Sequence, residues 1–147
     1  FLLAAILWPR LIERCSFDNG INVRKFFRSM DSIIAEQQRI TAIPRKFSSY
    51  IKDIWYLQLK LNDRLKNNPN KIIKHPRFRA GYDFLLIREK ASKDKSDLGK
   101  WWTNFQHADA KSKEKMIGKV RKTVESDGNF NPRKGEGKEF GFSEELR

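Results

Sequence analysis

Apolar residues over the first hundred positions recur at intervals of three and four, the spacing of one face of an α-helix. Residues 20–40 carry one such stripe, and residues 42–69 carry another through Ile51, Ile54 and Trp55. A third follows in 75–89, and a shorter apolar cluster lies in 97–106. No segment of any length alternates with period two. The chain is therefore predicted to be all-α.

The first residues, FLLAAILWPRLIE, are mostly apolar and are predicted to form a buried helix that Pro9 kinks or divides. This run is too short to span a bilayer and lacks the flanks of a signal peptide, so no membrane insertion is expected. Because the chain opens in mid-helix, without an initiator Met, we expect it to be a piece of a longer protein.

Polar residues and prolines predict where the later helices begin and end. Asn22 is a suitable N-cap for the second helix, and Ser48 or Ser49 for the third. The sequence NNP at residues 67–69 is predicted to end the third helix. Pro76 suits the first position of the fourth helix.

After Gln106 the composition becomes looser and richer in glycine. We predict a compact multi-helix domain over residues 1–106 and a loosely ordered, partly helical tail over 107–147. A weak helix in this tail is expected around Met116, Ile117, Val120 and Val124, despite Gly118. From Ser126 onward the tail is expected to be extended or mobile.

The 147 residues include 31 Lys and Arg against 18 Asp and Glu, a net charge of +13. Such an excess indicates a polyanionic partner, with nucleic acid ahead of an acidic membrane surface. Residues 1–106 hold 21 bases and 10 acids, whereas 107–147 hold 10 and 8. The positive charge is therefore assigned mainly to the folded part.

Residues 44–79 contain ten bases and only two acids, Asp53 and Asp63. A surface of this kind binds phosphates without reading sequence. The alternative is that these bases only decorate solvated helix faces. The predicted nucleic-acid-binding residues are Arg45, Lys46, Lys52, Arg64, Lys66, Lys71, Lys74, Arg77 and Arg79.

The stretch HPRFRAGYDFLLIRE, residues 75–89, has cations at the helix end where the peptide dipole disfavours them. A phosphate bound at the helix N-terminus by Arg77 and Arg79 would explain this placement. The alternative is that Arg79 pairs with Asp83 one turn on, with Arg77 solvated.

Several aromatic residues lie near bases and could stack on unpaired nucleobases. Trp55 and Trp101 are assigned to the core because they fall on helical stripes. Tyr50, Tyr56 and Trp102 are left open between core and stacking.

No catalytic motif and no metal-ligand pattern is recognisable, so neither catalytic nor metal-binding residues are predicted. His75 and His107 are far apart in sequence, and His75 before Pro76 is expected to cap or pack. Cys15 is the only cysteine, which excludes an intrachain disulfide and suggests a reducing, cytoplasmic setting.

Three segments, FLLAAILWPRLIE (1–13), AIPRKFSSYIKDIWYLQLKL (42–61) and HPRFRAGYDFLLIRE (75–89) followed by KWWTNFQ (100–106), resemble the C-terminal half of bacterial poly(A) polymerases. Their order and spacing also fit, and the resemblance covers nearly all of residues 1–106. The resemblance rests on three features in combination: the IP-basic-basic step, the HP-basic-Phe-Arg-Ala stretch and the Trp-Trp pair.

The resemblance implies a nucleotidyltransferase, kin to CCA-adding enzymes, that adds AMP from ATP to RNA 3′ ends. Its catalytic carboxylates, and with them Mg²⁺ and ATP, would belong to a head N-terminal to this chain, so no cofactor is expected here. The matching helical region is implied to bind RNA and to adjoin the head. Unlike many members, this tail is not densely Arg-rich. The competing hypothesis is a protein-interaction module that docks an acidic partner or the head.

Overall fold

The computed structural model describes residues 1–17, 20–92 and 96–126. In these ranges the fold is all-α, as predicted, with a two-residue antiparallel ribbon (β1, Ser16–Phe17; β2, Gly20–Ile21) after the first helix. The helices are α1 (Leu2–Cys15), α2 (Val23–Gln38), α3 (Arg45–Asn62), α4 (Pro69–Ile72), α5 (Phe78–Ser92), α6 (Leu98–His107) and α7 (Ala110–Ser126).

A first hydrophobic core lies between α1, α2 and the first half of α3, with Phe84 added from α5. Trp55 is fully buried there, and its indole N–H donates to the Ala4 carbonyl at 3.0 Å. The assignment of Trp55 to the core is confirmed. The first core consists of Ala4, Leu7, Leu11, Cys15, Phe26, Met30, Ile33, Ile34, Ile51, Ile54, Trp55 and Phe84.

A second core joins the end of α3 to α4, α5 and α6, and Met116 and Ile117 of α7 pack against it. Trp102 is fully buried and donates from its indole N–H to the Leu61 carbonyl at 3.0 Å. Trp101 is half-buried and packs against this core, so its assignment to the core is confirmed only in part. The second core consists of Leu57, Leu61, Ile72, Phe78, Tyr82, Leu85, Trp102 and Phe105.

The two cores meet where α3 packs closely against α5. Gln58 is fully buried, and its amide group donates to the carbonyls of Ile54 and Gly81, each at 3.0 Å. A Cβ at Gly81 would lie only 2.9 Å from Leu57 Cδ1. Glycine is therefore needed for this approach, and the buried amide stabilises it.

The ends of α3 differ from the prediction. It begins at Arg45, and Pro44 precedes it without a side-chain cap, so neither Ser48 nor Ser49 is the cap. The Ser48 hydroxyl instead donates to the Arg45 carbonyl within the first turn. The helix ends at Asn62 rather than at 67–69, because the Asp63 carboxylate accepts from the Lys66 N–H and stabilises a turn.

The other helix ends are partly as predicted. Asn22 caps α2, since its side chain accepts from the Lys25 N–H at 2.9 Å. The first helix continues through Pro9 and is not divided. The helix α5 begins at Phe78 rather than Pro76, after a turn in which His75 Nδ1 accepts from the Arg77 N–H at 3.0 Å. His75 thus stabilises the turn before α5 by accepting a backbone hydrogen bond, where capping or packing was expected.

The helix α7 is longer than the weak helix predicted around residues 116–124. It begins at Ala110 because Asp109 caps it, with the carboxylate accepting from the Ser112 N–H at 3.1 Å. Hydrogen bonds from the Ser112 hydroxyl and from the Ser112 N–H lower the pKa of Asp109. The extended tail predicted beyond Ser126 lies outside the described residues, and the boundary at residue 106 stays a prediction. Among the described residues, no helix has the length and apolarity required to cross a bilayer.

Candidate nucleic-acid interface

The predicted basic residues lie along α3, the segment after it, α4 and the start of α5. Seven of the nine are exposed, whereas Lys52 and Arg64 are half-buried. The start of α5 lies against the middle of α3, since the Arg77 guanidinium carbon is 4.6 Å from the centre of the Tyr50 ring. Arg64 lies just after the C-terminal end of α3 and contacts Trp101 of α6.

Three of these bases have carboxylate partners. Lys52 Nζ lies 2.6 Å from Asp31 Oδ1 and ties α3 to α2, with only 25% of its side chain exposed. Lys66 pairs with Asp63 at 3.2 Å and Arg79 with Asp83 at 3.1 Å, and both basic side chains are about four-fifths exposed. Exposed pairs of this kind contribute little and exchange readily with other anions.

Other bases lie over aromatic rings. Besides Arg77 over Tyr50, the Lys60 ammonium is 4.5 Å from the centre of the Tyr56 ring, and the Arg64 guanidinium is 5.0 Å from that of Trp101. None of these three bases forms an ion pair with a carboxylate in the described ranges. A ring orients a cation without cancelling its charge. Arg77 is therefore not simply solvated, as the alternative for the start of α5 supposed.

The start of α5 also holds a half-buried His and Asp. Burial raises the pKa of Asp53, and the charges of His75 and Arg77 oppose this rise. Burial lowers the pKa of His75, so His75 is neutral at pH 7. The amides of Arg77 and Phe78 already bond to His75, so these two amides are not available to a phosphate.

A second basic element, α7, was not recognised in the sequence. Residues 110–126 hold six bases against Glu114 and Glu125, whereas residues 127–147 hold four bases and five acids. The charge count over residues 107–147 as a whole did not reveal this difference between the two parts. The six bases are Lys111, Lys113, Lys115, Lys119, Arg121 and Lys122. Lys60, counted with the bases of 44–79 but not chosen as a candidate, is a further addition.

A small cleft separates α7 from the end of α3 and from α6. Its volume is about 290 Å³. Arg64, Trp101 and Lys119 line it together with apolar side chains of α7. No group of three His, Cys, Asp or Glu side chains that could hold a metal occurs in residues 1–17, 20–92 or 96–126.

These features define an all-α domain with a cationic surface built on two hydrophobic cores. The family described as "Polymerase A arginine-rich C-terminus" matches residues 21–138. The chain belongs to this family. Residues 107–147 contain three arginines and seven lysines, so lysine rather than arginine carries most of the basic charge at this end.

Bacterial relatives match most of the chain. "Poly(A) polymerase I" of Haemophilus influenzae is 32% identical over 122 residues, covering 80% of this chain and 27% of the relative. "Poly(A) polymerase I" of Escherichia coli O6:H1 is 34% identical over 112 residues, covering 72% and 24%. The chain thus spans about a quarter of the length of the curated relatives it matches, and the resemblance noted in the sequence is confirmed.

Proposed function

We propose that this chain is the RNA-holding C-terminal region of a cytoplasmic enzyme that adds AMP from ATP to RNA 3′ ends, a step of mRNA processing. Its basic surface binds RNA phosphates while a catalytic head outside this chain performs the transfer. Positioning the RNA lowers the entropic cost of bringing the 3′ hydroxyl to the reacting phosphate.

The observation that carries the proposal is the set of bases that lie over aromatic rings and form no ion pair in the described ranges. Lys60, Arg64 and Arg77 are oriented by Tyr56, Trp101 and Tyr50, and no carboxylate of the described residues pairs with them, although burial lowers the pKa of Lys60 and of Arg64. Exposed Lys71 and Lys74 add to them between α3 and α5. An array of oriented, unneutralised cations suits a flexible polyanion, because every nucleotide offers a phosphate.

ATP and Mg²⁺ are assigned to the catalytic head rather than to this chain. Nucleotidyl transfer with metal ions needs carboxylates that converge on the metal. The described residues do not bring such a group together. We therefore derive no chemical step from these residues, and their role is binding and orientation.

The test is a pair of matched charge reversals in the 147-residue chain. Lys71→Glu with Lys74→Glu alters the proposed surface, whereas Arg24→Glu with Arg28→Glu makes the same change of net charge at exposed positions of α2. Fluorescence anisotropy with a labelled single-stranded RNA, measured over a range of salt, gives affinity and salt dependence.

The first pair is expected to weaken binding about tenfold at low salt and to reduce the salt slope by about 0.7 for each lost phosphate contact. The α2 pair is expected to change both quantities much less. Equal losses in the two double variants would show that overall charge, not this surface, governs binding.

The protein-interaction module remains a second candidate because α1 exposes apolar side chains. Leu2 and Ile6 are 71% and 61% exposed. Such side chains favour contact with another protein surface, including the head. Absence of RNA binding by the wild-type chain at low salt, with tight binding to the separately produced head, would favour this candidate over the first.

A further inference from the structure

Arg64 is a half-buried arginine without an acceptor. Its guanidinium lies over Trp101, and in the described ranges it forms neither a hydrogen bond nor an ion pair. Arginine carries five N–H donors, and although the Arg64 side chain is half-buried, its unbonded nitrogens reach solvent and are available to a ligand. The same burial lowers the pKa of Arg64. An anionic or acceptor-rich ligand would supply hydrogen-bond acceptors for the N–H groups of Arg64.

The ring beside Arg64 is held in a fixed orientation. Trp101 stacks on Phe105, with ring centres 4.8 Å apart and planes 11° apart, and meets Trp102 edge-on at 4.9 Å. Phe105 and Trp102 are fully buried. The Arg64–Trp101 pair is therefore a rigid platform at the edge of the second core.

This platform forms one wall of the cleft under α7. The opposite wall is apolar, with Met116, Val120 and Val124, and Lys119 and Thr123 add polar groups. A volume of about 290 Å³ is at the low end for small-molecule sites, which suits one flat ring rather than a larger ligand. No side chain of α7 is fully buried, so this wall is free to adjust.

We propose that this cleft binds one unpaired nucleobase of the RNA, packed against the Arg64–Trp101 pair, with the adjacent phosphate held by Lys119 and the free N–H groups of Arg64. The inference rests on the proposed RNA-holding function and adds to it a site that recognises a base. Arginine planes and tryptophan rings both stack on bases without requiring a particular sequence.

The experiment compares a single-stranded RNA with an abasic ribose-phosphate strand of equal length, because the two differ in bases but not in phosphates. The wild-type chain is expected to bind RNA about 5- to 150-fold more tightly than the abasic strand, the range for stacking one base. Trp101→Leu is expected to lower this ratio at least fivefold.

Arg64→Met is expected to lower the RNA-to-abasic ratio and to weaken binding of both strands. Lys119→Met is expected to weaken binding of both strands about equally. Arg121→Met is the matched control for the RNA-to-abasic ratio and should leave this ratio unchanged, because Arg121 is an exposed base of α7 that does not line the cleft. Far-UV circular dichroism checks folding, and if Trp101→Leu does not fold, Arg64→Met decides whether the ratio depends on the cleft.

The outcomes separate the two proposals. If the wild-type chain binds neither strand at low salt, both proposals fail. If it binds both strands but the ratio is unchanged in Trp101→Leu and Arg64→Met, only the cleft assignment fails. Free AMP offers the same base and phosphate, so tighter binding of AMP than of a trinucleotide, lost in Arg64→Met, would overturn the assignment to RNA.

Discussion

Basic side chains are held differently on the two cores. On the first core, Arg10 and Arg14 both bind Glu36, with N···O distances of 2.8 to 2.9 Å, and Lys52 binds Asp31. On the second core, Arg64 lies over Trp101 and Lys113 lies 5.4 Å from the centre of the Phe105 ring. Carboxylates thus hold Arg10, Arg14 and Lys52, and rings hold Arg64 and Lys113. The division is not complete, since Arg77 and Arg88 lie over Tyr50 and Trp8, two rings that pack against the first core.

This difference separates bases that stabilise the domain from bases that are available to a ligand. A carboxylate within hydrogen-bond distance cancels the charge of its partner, whereas an aromatic ring leaves it. The sequence count of ten bases over residues 44–79 included Lys52, which belongs to the first group. A charge count from the sequence therefore overestimates the unpaired positive charge of residues 44–79 and does not detect the basic helix α7.

The largest expected effect comes from breaking the aromatic packing of the second core. Trp102→Ala removes a fully buried side chain and its hydrogen bond to Leu61, and is expected to lower the free energy of unfolding by about 3–5 kcal/mol. Trp101→Ala, at the half-buried neighbour, is the matched variant and should cost about 1–2 kcal/mol. Urea denaturation measures both, and similar losses would contradict the placement of the two rings.

Alanine substitution at two helical glycines, one at the close approach of α3 and α5 and one in open space, tests whether that approach requires glycine. Gly81→Ala places a methyl group 2.9 Å from Leu57 Cδ1 and should destabilise the domain by about 1–3 kcal/mol. Gly118→Ala enters open space in α7 and should stabilise that helix by about 0.4–1 kcal/mol. Thermal unfolding and hydrogen exchange of α7 amides report the two changes, which should have opposite signs.

The helical stripes and one cap were predictable because they depend on neighbours in sequence. Asn22 lies three residues before the amide that it caps, and Trp55 lies on a regular apolar stripe. The order of Trp101 and Trp102 was not predictable, since both fall on the apolar side of α6. Which of the two rings is buried depends on how α6 packs against the end of α3, where the Trp102 indole donates to the Leu61 carbonyl.

The grouping of site residues was predictable only in part, because the partners of each base come from distant positions. Lys52 pairs with Asp31 across two helices, and Arg64 meets Trp101 far along the chain. Composition indicates that bases are abundant in residues 44–79. Only the tertiary contacts show which of these bases a carboxylate neutralises and which a ring leaves charged.

Two lysines of the same helix, Lys52 and Lys60, differ in their partners, since one pairs with a carboxylate and the other lies over a ring. Lys60→Met should weaken RNA binding about two- to fivefold and reduce the salt slope by about 0.7, because Lys60 lies over Tyr56 and has no carboxylate partner among the described residues. Lys52→Met should leave the slope unchanged and lower the free energy of unfolding by up to about 1 kcal/mol through loss of the pair with Asp31. If Lys52→Met reduces the slope as much as Lys60→Met, the division between the two groups of bases is wrong.

The smallest effect on RNA binding is expected from Glu36→Gln, on the first core. Hydrogen bonds from Arg14, with a further one from Ser32, lower the pKa of Glu36 from 4.5 to about 2. The stability contributed by the ionised carboxylate is therefore fully present above about pH 4.5 and is lost as the pH falls towards 2. Glu36→Gln should remove this part of the pH dependence, measured by denaturation between pH 2 and 6.

At neutral pH the same variant removes one negative charge, which raises the net charge of the chain by one, and leaves the bases of the second core unchanged. RNA affinity should therefore stay within about a factor of two, since Arg10 and Arg14 lie on α1 and not on the proposed surface. A gain as large as the loss caused by Lys60→Met would mean that net charge, wherever it lies, controls RNA binding. An unchanged affinity together with a flattened acid profile would place the role of Glu36 in folding alone.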